Sequence, residues 1–159
     1  MIKEVSGDIL LTSAQAIAHG VAPNDHFDSG LALSLREEFP SMVKDFRHYC
    51  KLHNPEPGAA WIWGSAEGVK IINLLTQEPA KGNGHPGEAT LQNVGHALKA
   101  LAKLVEKENL TSLAIPKLAT GVGKLKWEDV MPLLEKHLGE LHIPVYVYST
   151  FVKGQKGEG

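Results

Sequence analysis

Apolar positions along this chain change period repeatedly, and those changes mark its elements. The opening IKEVSG alternates loosely and predicts a strand. AIAHGVA is a short apolar run between polar residues and predicts a buried strand. SGLALSLREEF spaces Leu31, Leu33, Leu35 and Phe39 among charges and predicts a helix. Pro40 cannot continue that helix, yet it suits the first turn of another, SMVKDFRHYCKL. NPEPG is a turn cluster, and AAWIWGSAEGVKIINLLT predicts two strands joined as a hairpin near SAEG. A long polar Gly/Pro-rich stretch, QEPAKGNGHPGE, separates these from the clearest helical pattern. There Leu91, Val94, Leu98, Leu101 and Val105 recur at helical spacing. SLAIPKL and IPVYVYST predict strands, with a helix WEDVMPLLEKHLGEL between them. Pro132 lies inside that pattern, so the helix is expected to begin near Trp127 and tolerate the proline in its first turn. The final KGQKGEG is expected to fray.

Strands alternating with helices predict a layered α/β domain on a largely parallel sheet. No internal repeat or linker divides it, so residues 1–152 are expected to form one domain, with 153–159 a flexible tail. Such sheets bind ligands at the carboxyl ends of their strands, where the turns into helices lie. Three junctions therefore matter: SGDILL, HGVAPNDHFDSGLA and LATGVGKLKW.

Composition narrows what those junctions can meet. The chain has 159 residues, 43% hydrophobic and 21% charged, which excludes disordered and membrane-spanning classes. Sixteen basic side chains against eighteen acidic leave a net charge of -2, without the basic footprint of a dedicated nucleic-acid binder. A small anion remains open, because backbone N–H groups bind anions without net positive charge. The N-terminus lacks a signal-like apolar core, and no membrane partner is expected. The single cysteine, Cys50, cannot form an internal disulfide, and a cytoplasmic setting is expected. Its helical surroundings read as a structural thiol rather than a nucleophile.

Glycines at a strand-to-helix turn admit positive φ and close backbone approach, and the next helix aims its first N–H groups at a ligand. DSGLA and ATGVG are two such turns, able to grip a diphosphate from both sides or merely to turn tightly. Neither matches GxxxxGK[ST] or GxGxxG. Asp8 suits an exocyclic amine such as adenine N6, or an N-cap. His19 is a candidate general acid/base, or a hydrogen-bonded histidine beneath the loop. Asn24, Asp25, His26 and Asp28 form an acid/base-capable group after it. The eight histidines show no HExxH or paired spacing, so no metal is expected. Lys117, Lys124 and Lys126 surround the second loop, as phosphate contacts or as solvated lysines, and Trp127 is expected to anchor the helix behind it. Tyr148, Ser149, Thr150 and Phe151 end the last strand at the same edge, where an aromatic serves a base or the core.

In order, VSGDIL, AIAHGVAPNDHFDSGLALSLREEFP, INLLTQ and IPKLATGVGKLKWEDV resemble the motifs of a macrodomain. They are most similar to the branch holding terminal ADP-ribose glycohydrolases and bacterial antitoxins that reverse ADP-ribosylation of DNA. The resemblance covers about Ile2 to Tyr148 and implies a three-layer α/β/α sandwich over a mixed, largely parallel sheet. It implies ADP-ribose, free or on a modified macromolecule, as ligand or product, with no cofactor. The near-neutral charge argues against an extended nucleic-acid surface, and a monomer is expected.

Carried over by position, Asp8 and Ile9 would hold the adenine, approached by Tyr148 or Phe151. Ser29, Gly30 and Leu31 would line the diphosphate opposite Ala119, Thr120, Gly121, Val122 and Gly123. Two departures bear on chemistry. The branch places a lysine after the central-strand threonine, where this chain has Gln77 after Thr76. It places an aspartate where this chain has Gly123. Glutamine cannot form the Schiff base a lysine can. The asparagine many macrodomains set at the distal ribose is here Ala22. His19, Asn24, Asp25, His26 and Asp28 remain near that ribose, with Lys81 and His85 on the polar stretch. His19 matches a histidine also found in an ADP-ribose 1″-phosphate phosphatase of this branch. The expectation is ADP-ribose binding, with hydrolysis by a non-lysine route; the alternatives are a non-catalytic reader and that phosphatase.

Overall fold

The computed structural model describes residues 1–64, 68–79 and 86–158. Lys81 and His85 lie outside the described residues. Six strands form one sheet in the order β1-β6-β5-β2-β4-β3. They are β1 (Ile2–Gly7), β2 (Ala16–Val21), β3 (Ala60–Gly64), β4 (Lys70–Leu75), β5 (Leu113–Pro116) and β6 (Val145–Phe151). All neighbours are parallel except β3, which closes one edge antiparallel to β4 as the hairpin pattern predicts.

The central strands β5, β2 and β4 are mostly apolar because both faces are covered, with His19 and Asn73 as buried polar exceptions. Ile72 and Leu74 of β4 pack with Val94, Leu98 and Leu101 of α3 (Leu91–Lys107) and Val130 and Leu134 of α4 (Trp127–Leu138). Ile17, Ile71 and Leu75 face the other way, onto Leu35 of α1 (Gly30–Glu38) and Met42, Val43 and Phe46 of α2 (Pro40–His53). This is a three-layer α/β/α arrangement, as expected.

Helix boundaries follow local chemistry. Pro40 opens α2, where its missing N–H has no helical partner to lose. Thr90 caps α3 by accepting from the Asn93 amide at 3.0 Å. Pro132 differs from expectation: it sits in the second turn of α4, where it forfeits a bond to the carbonyl of exposed Glu128.

The C-terminal segment corrects the expectation of a flexible tail. Residues 153–158 fold back over β1. Asp8 donates its amide to the Gln155 carbonyl at 2.6 Å, and the Gly154 amide donates to Asp8 Oδ2 at 3.2 Å. Glu158 is buried, and one of its oxygens accepts from Thr12 Oγ1 and the Ser13 amide, each at 2.6 Å. The other accepts from the Tyr148 hydroxyl. Gly157 lies so close to the Tyr148 ring that a Cβ there would stand 2.6 Å from its Cε2. A carboxylate satisfied by four donors, the Ser13 hydroxyl at 3.3 Å included, outweighs the weak ordering tendency of a Gly/Lys-rich sequence.

Candidate functional site

The carboxyl ends of β2, β5 and β6 open onto a cleft with two lobes. The larger, of about 560 Å³, takes its walls from the first loop and α1 on one side and residues 116–123 on the other. The second, of about 540 Å³, is lined by Gly7, Asp8, Ile9, Leu10 and Lys153. Gly30, Leu31, Pro116, Tyr148 and Phe151 border both lobes, so the two form one elongated groove.

The first loop is shaped by Asp25. Its Oδ2 accepts from the Ala22 amide at 3.0 Å and its Oδ1 from the Phe27 amide at 2.9 Å. These bonds hold Asn24 and Phe27 at φ of 61° and 57°, a conformation non-glycine residues rarely adopt. The strain is offset by burial of the Phe27 ring against His19 and Phe46, at centroid distances of 5.9 and 5.6 Å. Burial raises the Asp25 pKa, opposed by its two amide donors. Asp25 is thus the pin of the loop. Gly30, at φ 59°, then turns the chain into α1, whose N-cap Ser29 makes no side-chain capping bond. Among the described residues, no side-chain capping bond to the first-turn N–H groups of α1 is found, and these groups border the cleft at the positive end of the helix dipole.

The second loop is fixed differently. Ala119 sits at φ 61°, and Thr120 Oγ1 donates to the Lys117 carbonyl at 3.0 Å. Among the described residues, no acceptor is found for the amides of Thr120, Gly121 and Val122. Gly121 has open space where a Cβ would be. Gly123 has none: a Cβ would stand 2.6 Å from the Ala119 carbonyl oxygen and 2.9 Å from Ala89 Cβ. An aspartate at 123 does not fit this loop without moving backbone.

Behind the distal end, β2 and β4 pair His19 with Asn73 in register. His19 Nε2 lies 2.7 Å from Asn73 Oδ1, while Asn73 Nδ2 donates to Met42 Sδ. Asn73 Oδ1 is then the acceptor, and His19 carries its proton on Nε2. Burial lowers the His19 pKa to about 4, against a smaller upward pull from Asn73. His19 is therefore neutral near pH 7 and is no proton donor there. Protonation is favoured in the unfolded chain, so the fold is expected to lose about 3 kcal/mol as pH falls from about 6.5 to about 4. Urea denaturation across that range is the check, and His19→Gln should flatten the slope.

Thr76 is fully buried, and among the described residues its Oγ1 has no hydrogen-bond partner. Gly20 makes room for it, since a Cβ at residue 20 would lie 2.7 Å from that oxygen. Gln77 borders the cleft with its Nε2 donating to the Gly87 carbonyl at 3.0 Å.

The remaining candidates divide. Asp28 borders the larger lobe with His19 and Gln77. His26 does not: it lines a separate hollow with Lys44 and Arg47, because buried Phe27 turns the chain between it and Asp28. Its expected place in an acid/base group is corrected accordingly. Asp8 acts as the cap of a short 3-10 turn, Ile9–Leu11, accepting from the Leu10 amide at 3.1 Å, and it also borders the second lobe. Tyr148 is buried, with its hydroxyl committed to Glu158, whereas the Phe151 ring is 68% exposed at the junction of the lobes. Lys117 borders the cleft, while Lys124 pairs with Glu88 at 3.4 Å and Lys126 precedes α4. Cys50 is buried and behaves as a small hydrophobe. Among the described residues, no three metal-ligating side chains converge, and no helix is long and apolar enough to cross a membrane. Asn73, Gly154 and Glu158 escaped the sequence reading, since each depends on a contact far away in the chain.

Comparison with known proteins bears on this groove. The Macro domain family model matches residues 13–134. A DNA ADP-ribosyl transferase–DNA ADP-ribosyl glycohydrolase fusion protein of Thermosipho africanus is 27% identical over 163 residues, covering 94% of this chain and 42% of that protein. The DNA ADP-ribosyl glycohydrolase of Mycobacterium tuberculosis is 29% identical over 133 residues, covering 82% and 36%. The chain thus spans about two fifths of the length of these curated relatives. The solved structure of Thermosipho africanus DarTG in complex with ADP-ribose superposes with a TM-score of 0.83 at 23% identity, covering 95% of this chain and 41% of that one.

Proposed function

We propose, from the premise that this chain belongs to the macrodomain family, that it binds ADP-ribose along the two-lobed cleft and releases it from a modified nucleic acid. The observation that carries this is the shared groove: an uncapped helix start and an open glycine loop face each other across one lobe, and Asp8 and Ile9 border the next. The adenine lies in the second lobe, with Phe151 as its stacking face. The diphosphate runs between the first turn of α1 and the amides of residues 120–122, neutralised by N–H dipoles rather than by net charge. The distal ribose then points toward His19, Asp28 and Gln77. The glycohydrolase names of the relatives support the hydrolytic reading.

Gln77 cannot attack the anomeric carbon, and its amide is occupied by Gly87. Water is therefore the nucleophile. The Asp28 carboxylate orients it and takes one proton as the water oxygen bonds to C1″, the C1″–base bond breaks, and that proton passes back through solvent to the departing base nitrogen as free ADP-ribose forms. Neutral His19 supports the ribose end without supplying a proton.

A reader without turnover is the second reading, favoured by Gln77 and Gly123 in place of a lysine and an acid. Incubation with ADP-ribosylated single-stranded DNA, ADP-ribosylated protein and ADP-ribose 1″-phosphate, followed by mass spectrometry, separates the readings. The expected result is free ADP-ribose from the DNA, slowed ~100-fold or more in Asp28→Ala. Tight binding with no release would identify a reader, and phosphate release alone a phosphatase.

A further inference from the structure

Beside the cleft lies a hollow of about 490 Å³ that the proposed reaction does not use. Helix α2 presents Lys44, Arg47, His48 and Lys51 there, at the i, i+3, i+4 and i+7 positions that share one helix face. All four are exposed. Asn24 and His26 of the first loop complete the wall, and every lining side chain is polar. The one acid, Asp45, accepts from Trp63 Nε1 at 2.8 Å. Among the described residues, no carboxylate lies within ion-pair distance of Lys44, Arg47 or Lys51. A chain of net charge -2 therefore gathers three permanent cations on one short helical face.

The position is as informative as the charge. The first loop alternates between the two sites: Asn24 and His26 line the hollow, while Asp25 and Asp28 border the cleft. Anything attached to ADP-ribose at the distal end emerges next to that loop. We propose that the hollow holds the sugar–phosphate backbone of the single strand carrying the ADP-ribose. This rests on the reading of the cleft as an ADP-ribose site. From Lys44 to Lys51 the helix rises ~10 Å, about three nucleotides at the stacked spacing of a strand. Backbone contacts of this kind hold a strand in place without reading its sequence. A protein partner would need apolar anchors at the centre of its interface, and this lining has none.

The test compares Lys44→Gln/Arg47→Gln/Lys51→Gln with the parent, both carrying Asp28→Ala to block release. Fluorescence anisotropy is read across a salt series with ADP-ribosylated single-stranded DNA, the same sequence in RNA, and an ADP-ribosylated Asp/Glu-rich peptide. Calorimetry reads free ADP-ribose. The triple variant should bind the DNA at least ~10-fold more weakly at low salt, and its log–log salt slope should shrink by about 2. Equal losses on RNA would support contacts to the backbone shared by both strands. Affinity for free ADP-ribose should stay within about two-fold. An unchanged oligonucleotide affinity and slope, with ADP-ribose still bound, would overturn the hollow and leave the cleft standing. A loss confined to the acidic peptide would overturn it too. Failure of the parent to bind ADP-ribose would instead overturn the reading of the cleft.

Discussion

Gly121→Glu is expected to abolish ADP-ribose binding while leaving the fold intact. The two halves of that outcome have separate causes. A Cβ at residue 121 meets nothing within 4 Å, so the longer side chain costs no repacking. The residue is exposed on the loop wall of the larger lobe, where the diphosphate is placed. A carboxylate there both fills the phosphate path and repels a dianion in a partly desolvated groove. Affinity should fall by more than ~100-fold, about 3 kcal/mol, by calorimetry, with the thermal midpoint little changed. Gly121→Ala, adding only the methyl, should lose far less. Gly123→Asp behaves differently, because its Cβ collides with the Ala119 backbone. It should cost stability before it reports on chemistry.

Glu158→Ala is expected to show the largest loss of stability, about 3 kcal/mol by urea denaturation. The substitution strands four donors at once: the Tyr148 hydroxyl, the Thr12 hydroxyl, and the Ser13 amide and hydroxyl. Burial pushes the Tyr148 phenol up to about 12, and its bond to Glu158 adds to that rise. Burial works to raise the Glu158 pKa, yet the donors around it win and hold it below the ordinary glutamate value. The same segment reaches the ligand site, since Gly154 and Gln155 hold both the side chain and the backbone of Asp8. ADP-ribose affinity should therefore fall as well, by ~10-fold, although Glu158 does not border either lobe. Glu158→Gln keeps two acceptor lone pairs but only one oxygen, and should fall between the parent and Glu158→Ala.

These two residues show what the sequence makes legible. Gly121 stands out because a strand-to-helix turn containing glycines has a local signature, and the ligand loops of this fold occupy such turns. The helical period of α3 and the mostly apolar run of β2 likewise report their own burial. Glu158 has no such signature. Its role depends on Thr12, Ser13 and Tyr148, brought together only when β1 and β6 pair. The His19–Asn73 contact depends in the same way on the register of β2 against β4. His26 and Asp28 are near in sequence but face different hollows, because Phe27 takes a positive φ to bury its ring. Composition cannot show that turn.

ADP-ribose is proposed to lie along the groove, with its diphosphate between two backbone walls. Backbone amide shifts in a 15N-labelled sample, followed during titration with ADP-ribose, test it most directly. The predicted result is saturation at one ligand per chain. The largest shifts should fall at Gly30, Leu31, Thr120, Gly121 and Val122, with a second group at Asp8 and Ile9. No saturable shift in either loop, or shifts confined to residues outside both lobes, would contradict it.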